Sequence, residues 1–302
     1  VYRGDRMETV NKKLVNNFNK AIIPIITMVG PVTFWLLLFV LIPLIYVLGI
    51  SFMEKGVYGG VEASFTLANY KALFDPLYLN IFLRSLIIAA ATTFLCLIIG
   101  YPFAYFISKR SPMTRVILLM LVIVPFWTNS LIRTYGWIII LRTEGLLNQV
   151  LMTFHIIKEP LKIMYTNIAV MIGMVYTLFP FMVLPLYSSI EKLDKSLLEA
   201  ANDLGAKPRN SFLKVTLPLT KSGIFAGSIL VFIPTLGYFF IPDLLGGSKI
   251  MLIGNLIKNQ FLTARNWPLG AALSMVLIVL TIVLVGVYSK TGGDMEDIGR
   301  GF

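Results

Sequence analysis

Charge is scarce in this sequence: 14% of its 302 residues are Asp, Glu, Lys or Arg, against about a quarter in a soluble globular domain. Cysteine and histidine are scarcer still, with one of each, Cys96 and His155. That excludes a disulfide framework and any Cys/His metal cluster. Cys96 lies inside an apolar run and reads as a small buried hydrophobe. His155 lies in a connecting segment with no acid or nucleophile patterned around it, and reads as solvated or interfacial. No G-x-x-x-x-G-K-[ST] phosphate loop occurs; Leu245-Gly246-Gly247-Ser248-Lys249 lacks the spacing. The chain therefore does not bind and hydrolyse ATP by that route. There is no Ser/His/Asp arrangement, and no internal repeat of the kind that marks many secondary transporters. The sequence reads as a non-enzyme with no cofactor and no metal of its own.

Apolar residues dominate instead. They make up 57% of the chain, and the mean hydropathy is +0.81. Six apolar runs are long enough to cross about 30 Å of hydrocarbon at ~1.5 Å per helical residue. They cover residues 21–52, 86–107, 116–132, 168–186, 224–245 and 269–287, with an aromatic stretch at 135–141 after the third. The first is too long for the core of a signal peptide and reads as an anchor. The class is an all-α membrane protein of six transmembrane helices spanning 24–289, with polar tails at 1–23 and 290–302. A net charge of +11 would suggest nucleic acid in a soluble chain; here the placement of the cations sets topology, and no nucleic-acid partner is expected. Sixteen of the 26 Lys and Arg fall in the N-terminal tail, the second-to-third loop (Lys109, Arg110, Arg115), the 191–220 loop with Lys221 at its edge, and the C-terminal tail. The positive-inside rule puts both termini and that loop in the cytoplasm.

Residues 196–218 are neither apolar enough to span nor shapeless. Ser196 and Glu199 have capping-box spacing. Leu197, Ala201 and Leu204 put an apolar stripe on one helix face. Gly205 stands where a helix C-terminus needs a left-handed residue, and Pro208 where the helix cannot continue. A second short helix fits 209–215, with Pro218 ending it. Such a hairpin cannot bury both faces on itself, so it needs a partner.

Glu199-Ala200-Ala201, Gly205, Ala206, Pro208 and Leu217-Pro218 resemble the EAA loop of ABC importer membrane subunits. Residues 123–133 (IVPFWTNSLIR), 184–194 (LPLYSSIEKLD), Leu252-Ile253-Gly254-Asn255 and Phe74-Asp75-Pro76-Leu77-Tyr78 are more specific. They resemble the spermidine/putrescine (PotB-type) permease family, over roughly 34–288. Residues 1–20, a longer basic tail, and 292–302, an acidic one, depart from the pattern. The resemblance implies the type I ABC importer permease fold and half of a polyamine pathway in the bacterial cytoplasmic membrane. It further implies a second, homologous permease subunit, two ATP-binding subunits that hold ATP and Mg and grip the EAA loops, and an extracytoplasmic polyamine-binding protein. Rival readings are a permease for another small solute, such as an iron(III) complex, sulfate or thiamine, and an ion-coupled secondary transporter; scarce intramembrane carboxylates and the docking hairpin speak against the latter.

A polycation needs carboxylates for its ammonium groups and aromatic faces along its methylenes. Trp127, Thr128 and Asn129 follow Pro125 near the outer end of the third span, with Tyr135 and Trp137 next. Asp243 closes the fifth span beside Pro242, just after Tyr238, Phe239 and Phe240. Two readings stand for this group: a lining for the substrate path, or an interfacial aromatic belt with a solvated acid. Trp35 and Tyr70 are further pathway candidates. Gly227, Pro234, Gly237 and Pro242 mark the fifth span as broken, either to line a path or as a kinked packing helix. Arg133 reads as a cation snorkelling to the outer interface, the alternative being a role in repelling or orienting a substrate cation.

Overall fold

The computed structural model describes residues 27–290, so the predicted tail at 1–23, the start of the first span and all but the first residue of the predicted tail at 290–302 lie outside the described residues. Helix α1 (Thr27–Ser51) carries a π-helical turn at Leu37–Leu41, ending two residues before Pro43. Proline lacks an N–H and crowds the carbonyl four residues back, and the wider turn absorbs both defects. A two-stranded antiparallel hairpin, β1 (Met53–Lys55) and β2 (Val61–Phe65), interrupts the helical pattern. Short α2 (Ala68–Ala72) follows, and Asn69 ties it back by donating to the carbonyls of Ser51 and Met53.

Helix α3 (Pro76–Ser108) starts with Asp75 accepting from the Leu77 N–H and with Pro76 in the first turn, where a missing donor costs nothing. It ends with Lys109 and Arg110 laid over the rings of Tyr105 and Phe106. Its 33 residues span about 50 Å, more than the predicted 86–107.

The third span is not one helix. α4 (Pro112–Ile123) tightens into a 3-10 turn at Val124–Trp127, and Thr128 is extended. Asn129 then caps α5 (Ser130–Leu141) by accepting from the Leu131 N–H. With α6 (Leu146–Thr153) the pair bends by 96°. Pro125 and the Asn129 cap explain the break, which hydropathy averaged over 116–132 does not register.

Helix α7 (Asn167–Glu191) runs through the centre of the bundle and leads into the hairpin of α8 (Lys195–Asp203) and α9 (Pro208–Leu219). α10 (Lys221–Gly237) leaves α9 at 63°. The predicted fifth span, 224–245, stops as a helix at Gly237; Tyr238 is extended and a π turn covers Pro242–Gly246. α11 (Ile253–Leu262) and α12 (Trp267–Lys290) complete the chain. Four helices are long and apolar enough to cross a membrane unbroken, and the two bent pairs bring the number to the six expected.

α3, α7 and α10 pack mutually as the core, around Cys96, Ala104, Met182, Val183, Leu186 and Val231. Cys96 is fully buried, as its setting suggested. In a membrane, helix association depends on close packing of small residues rather than on excluding water. Gly223 and Gly227, four apart on α10, press against Ser189, Pro185 and Met182 of α7. α12 closes the other flank against α1 and α11. α1 itself is almost wholly exposed, turning its apolar side chains outward.

Candidate functional site

Two regions qualify, at different levels of the bundle. The first is the hairpin at the end where α3 and α7 finish. Asp194, not Ser196, is the N-cap of α8: its carboxylate accepts from the Ser196 N–H at 2.9 Å. Those bonds to Ser196 hold the Asp194 carboxyl below the usual carboxylate range. The expected Ser196–Glu199 capping box is thus replaced by a simple cap from Asp194, two residues earlier. Gly205 has φ +76° and ends the helix in the left-handed conformation, as its position suggested. Pro208 opens α9 rather than merely closing α8. Pro218 does not end α9 either, because a π turn at Phe212–Thr216 precedes it and takes up its missing bond; the chain breaks two residues on, at Thr220.

Glu199, Ala200 and Gly205 are exposed, while Ala201 and Ala206 are half-buried. Leu204 is 88% exposed, so the apolar stripe has no cover within this chain. Just before the hairpin, Arg115 ties the α3–α4 loop to the end of α7. Its guanidinium meets Glu191 at 3.0 Å and donates to the carbonyls of Ser108 and Arg110, both at 2.7 Å. A cavity of about 670 Å³ separates Lys109 and Arg115 from Leu198 and Thr216, and another of about 380 Å³ lies between α7, α8 and the start of α10. The cations of the second-to-third loop and the hairpin therefore share one end.

The second region forms where the breaks in α4–α5 and after α10 both meet α7. Phe126 packs edge-on to Phe181, and Trp137 edge-on to Tyr176. Arg133 lies over the rings of Phe126 and Tyr176 at 5.1 and 5.6 Å, and its buried Nε–H has no hydrogen-bond partner. It turns into the aromatic group instead of snorkelling outward. Tyr238 and Phe239 both pack edge-on against Phe240. Tyr238 borders two of the buried clusters.

Asp243 is neither free nor simply solvated. Its Oδ2 meets Lys258 Nζ at 2.5 Å, and its Oδ1 accepts a short hydrogen bond from Asn255. Asn255 also donates to the Phe239 carbonyl at 2.7 Å and accepts from the Leu252 N–H. One buried hydroxyl fixes this element: Ser85 of α3 accepts from the Ile253 N–H at 2.8 Å.

The other candidates are scattered. Trp127 and Tyr135 are exposed. Thr128 donates to the Pro125 carbonyl, and Asn129 is used as a cap. Trp35 contacts Phe39 on its own helix. Tyr70 bonds Ser51 and packs on Phe52 while lining an apolar cavity of about 230 Å³ with Phe74, Tyr78 and Phe82. Phe126, Tyr176, Phe181, Asn255 and Lys258 join the site without having been singled out for it. Asn255 and Lys258 stand at i, i+3 on α11, a spacing that puts them on one face and could have signalled the pair.

Broken spans around a polar and aromatic lining, with an uncovered amphipathic hairpin at one end, define a membrane-spanning transport subunit. Residues 97–290 match the family described as "Binding-protein-dependent transport system inner membrane component", and the chain belongs to that family, as a multi-pass permease subunit of the inner membrane. It is 51% identical over 264 residues to "Spermidine/putrescine transport system permease protein PotB" of Escherichia coli K12, covering 87% of this chain and 94% of that one. To the protein of the same description from Haemophilus influenzae it is 49% identical over 279 residues, 92% of this chain and 96% of the other. Among solved structures, a bacterial ABC transporter that imports the acidic polysaccharide alginate superposes with a TM-score of 0.72 at 15% identity, over 92% of this chain and 97% of that one. At that identity the likeness concerns the fold alone, which is the type I ABC importer permease fold expected.

Proposed function

We propose that this chain forms half of the translocation pathway of an ATP-driven importer for spermidine and putrescine. The observation that carries the reading is 51% identity along nearly the whole of a relative described as a spermidine/putrescine permease. The site chemistry agrees with it: rings from α7 and from the breaks offer faces for a cation, and Asp243 offers a carboxylate. The other half of the pathway comes from a second, homologous permease subunit, and an extracytoplasmic binding protein delivers the substrate. Both termini and the hairpin face the cytoplasm, in keeping with the distribution of Lys and Arg.

Two ATP-binding subunits, holding ATP and Mg, grip the hairpin through Glu199, Ala200, Ala201, Gly205, Ala206, Pro208, Leu217 and Pro218. Their closure on ATP pushes α8 and α9. Glu191 and Arg115 pass that push to the ends of α3 and α4, and the 63° joint at Thr220 passes it to α10. The bundle rocks outward-open to receive the polyamine, and hydrolysis returns it to face inward.

The test is ATPase activity of the reconstituted complex, with and without binding protein and spermidine, in wild type and Gly205→Asp. Gly205 has no atom within 4 Å of an added Cβ, so the substitution strains the left-handed backbone and alters the docking face without crowding the bundle. Stimulation by loaded binding protein that is lost in an assembled Gly205→Asp complex supports the reading. ATPase subunits that never bind this chain would refute it, and a coupled complex indifferent to spermidine would refute the cargo.

A further inference from the structure

We propose that Lys258 is a resident stand-in for the substrate: its ammonium holds the Asp243 carboxylate while the pathway is empty, and a substrate ammonium displaces it on entry. This rests on the polyamine reading above. The two oxygens of Asp243 are held differently. Oδ1 is fixed by Asn255, which is itself anchored to the Phe239 carbonyl and the Leu252 N–H, so the acceptor is part of the scaffold. Oδ2 is met by the end of a flexible four-carbon chain that is 33% exposed, beside a carboxylate 30% exposed. The Phe239 ring lies 5.9 Å from the same ammonium and is itself 44% exposed.

A lysine side chain is a butylammonium. It is the same chemical group as the aminobutyl end of putrescine or spermidine. A pocket that seats Lys258 on a carboxylate and an aromatic face is therefore shaped for that end of the cargo. The exchange replaces one ammonium by another, so the carboxylate is never left without a counter-ion in a setting where that is costly. The partial exposure of both groups keeps the resident pair weak enough to exchange. Selectivity follows from charge number. A polyamine brings further ammonium groups to the neighbouring rings of Phe240 and Tyr238, whereas a monoamine offers only what Lys258 already supplies.

The experiment uses the full complex of both permease subunits and the ATPase subunits in lipid nanodiscs. It measures equilibrium binding of radiolabelled spermidine without binding protein, alongside ATPase stimulation with it. Lys258→Met removes the competitor at similar volume and should lower the half-saturating spermidine concentration by about fivefold. Lys258→Arg should stay at the wild-type value. Asp243→Asn should lose the binding, and Asp243→Asn/Lys258→Met should resemble Asp243→Asn. A mere structural brace predicts otherwise: Lys258→Met binds as wild type or more weakly, and the double variant recovers what Asp243→Asn lost. Either of those results overturns the exchange. A wild-type complex that spermidine-loaded binding protein fails to stimulate overturns the cargo reading, and the exchange with it; a stimulated wild type with unaltered Lys258→Met binding overturns the exchange alone.

Discussion

The close approach of α10 to α7 at Gly223 gives a sharp test of how this bundle is held together. An alanine Cβ at Gly223 would stand 2.5 Å from Ser189 Cβ and 2.8 Å from the Pro185 carbonyl oxygen. Carbon atoms rest at about 3.5–4.0 Å, so the deficit is roughly 1 Å. The carbonyl belongs to the backbone of α7 and cannot swing aside, so α7 and α10 must separate. Forcing one methyl into a packed interface costs about 1–3 kcal/mol. Glycine-to-alanine in a helix also brings a gain near 1 kcal/mol, which obscures the packing cost in a single variant. Gly49→Ala and Gly286→Ala supply the reference, since both lie in helices with nothing within 4 Å of the added Cβ. The difference between Gly223→Ala and these two isolates the packing cost. At about 2–4 °C per kcal/mol it corresponds to roughly 2–12 °C in the thermal midpoint of the purified complex, at fixed detergent and scan rate. Coincident midpoints for the three variants would refute the close α7–α10 contact. Gly223 faces Ser189, two residues before Glu191, so Gly223→Ala should also weaken ATPase stimulation by loaded binding protein.

Ser85→Val removes the buried hydroxyl that receives the Ile253 N–H; it should destabilise by about 1–3 kcal/mol and speed amide exchange at the start of α11, and unchanged exchange there would contradict that anchor. Arg115→Ala severs three charge-assisted bonds joining α3 to the end of α7; the expected loss is about 1 kcal/mol, with faster proteolysis in the 109–115 loop as the check. The Asp194 cap has a sign that pH can read. Its carboxyl is lowered in the folded chain, so its contribution is complete above the unfolded carboxylate value of about 3.9 and fades as pH falls through the lower folded value. Amide protection at Ser196 should therefore persist to below pH 4 in wild type and be absent at all pH in Asp194→Ala.

The sequence by itself determined the number of spans, the burial of Cys96, the left-handed Gly205 and a hairpin whose apolar stripe lacks a cover. Each is a property of composition within one window, or of one residue's allowed backbone, and neither depends on what lies across the bundle. Where the spans break was decided at finer grain. Thr128 and Tyr238 are single extended residues, and a hydropathy window averages across them. Pro218 shows the reverse: it looked like a terminus, but the π turn before it keeps the helix running. Only the tertiary structure decided the electrostatics. Asp243 and Lys258 are 15 residues apart and belong to different elements, and they meet because Ser85 pins the start of α11 and Asn255 ties it to the chain after α10. Arg133 turns inward because Phe126 and Tyr176 converge from two other segments to receive it. Local pattern fixes which segments become helices and which faces are apolar; the partners of the few charges inside a membrane are set by how those helices pack.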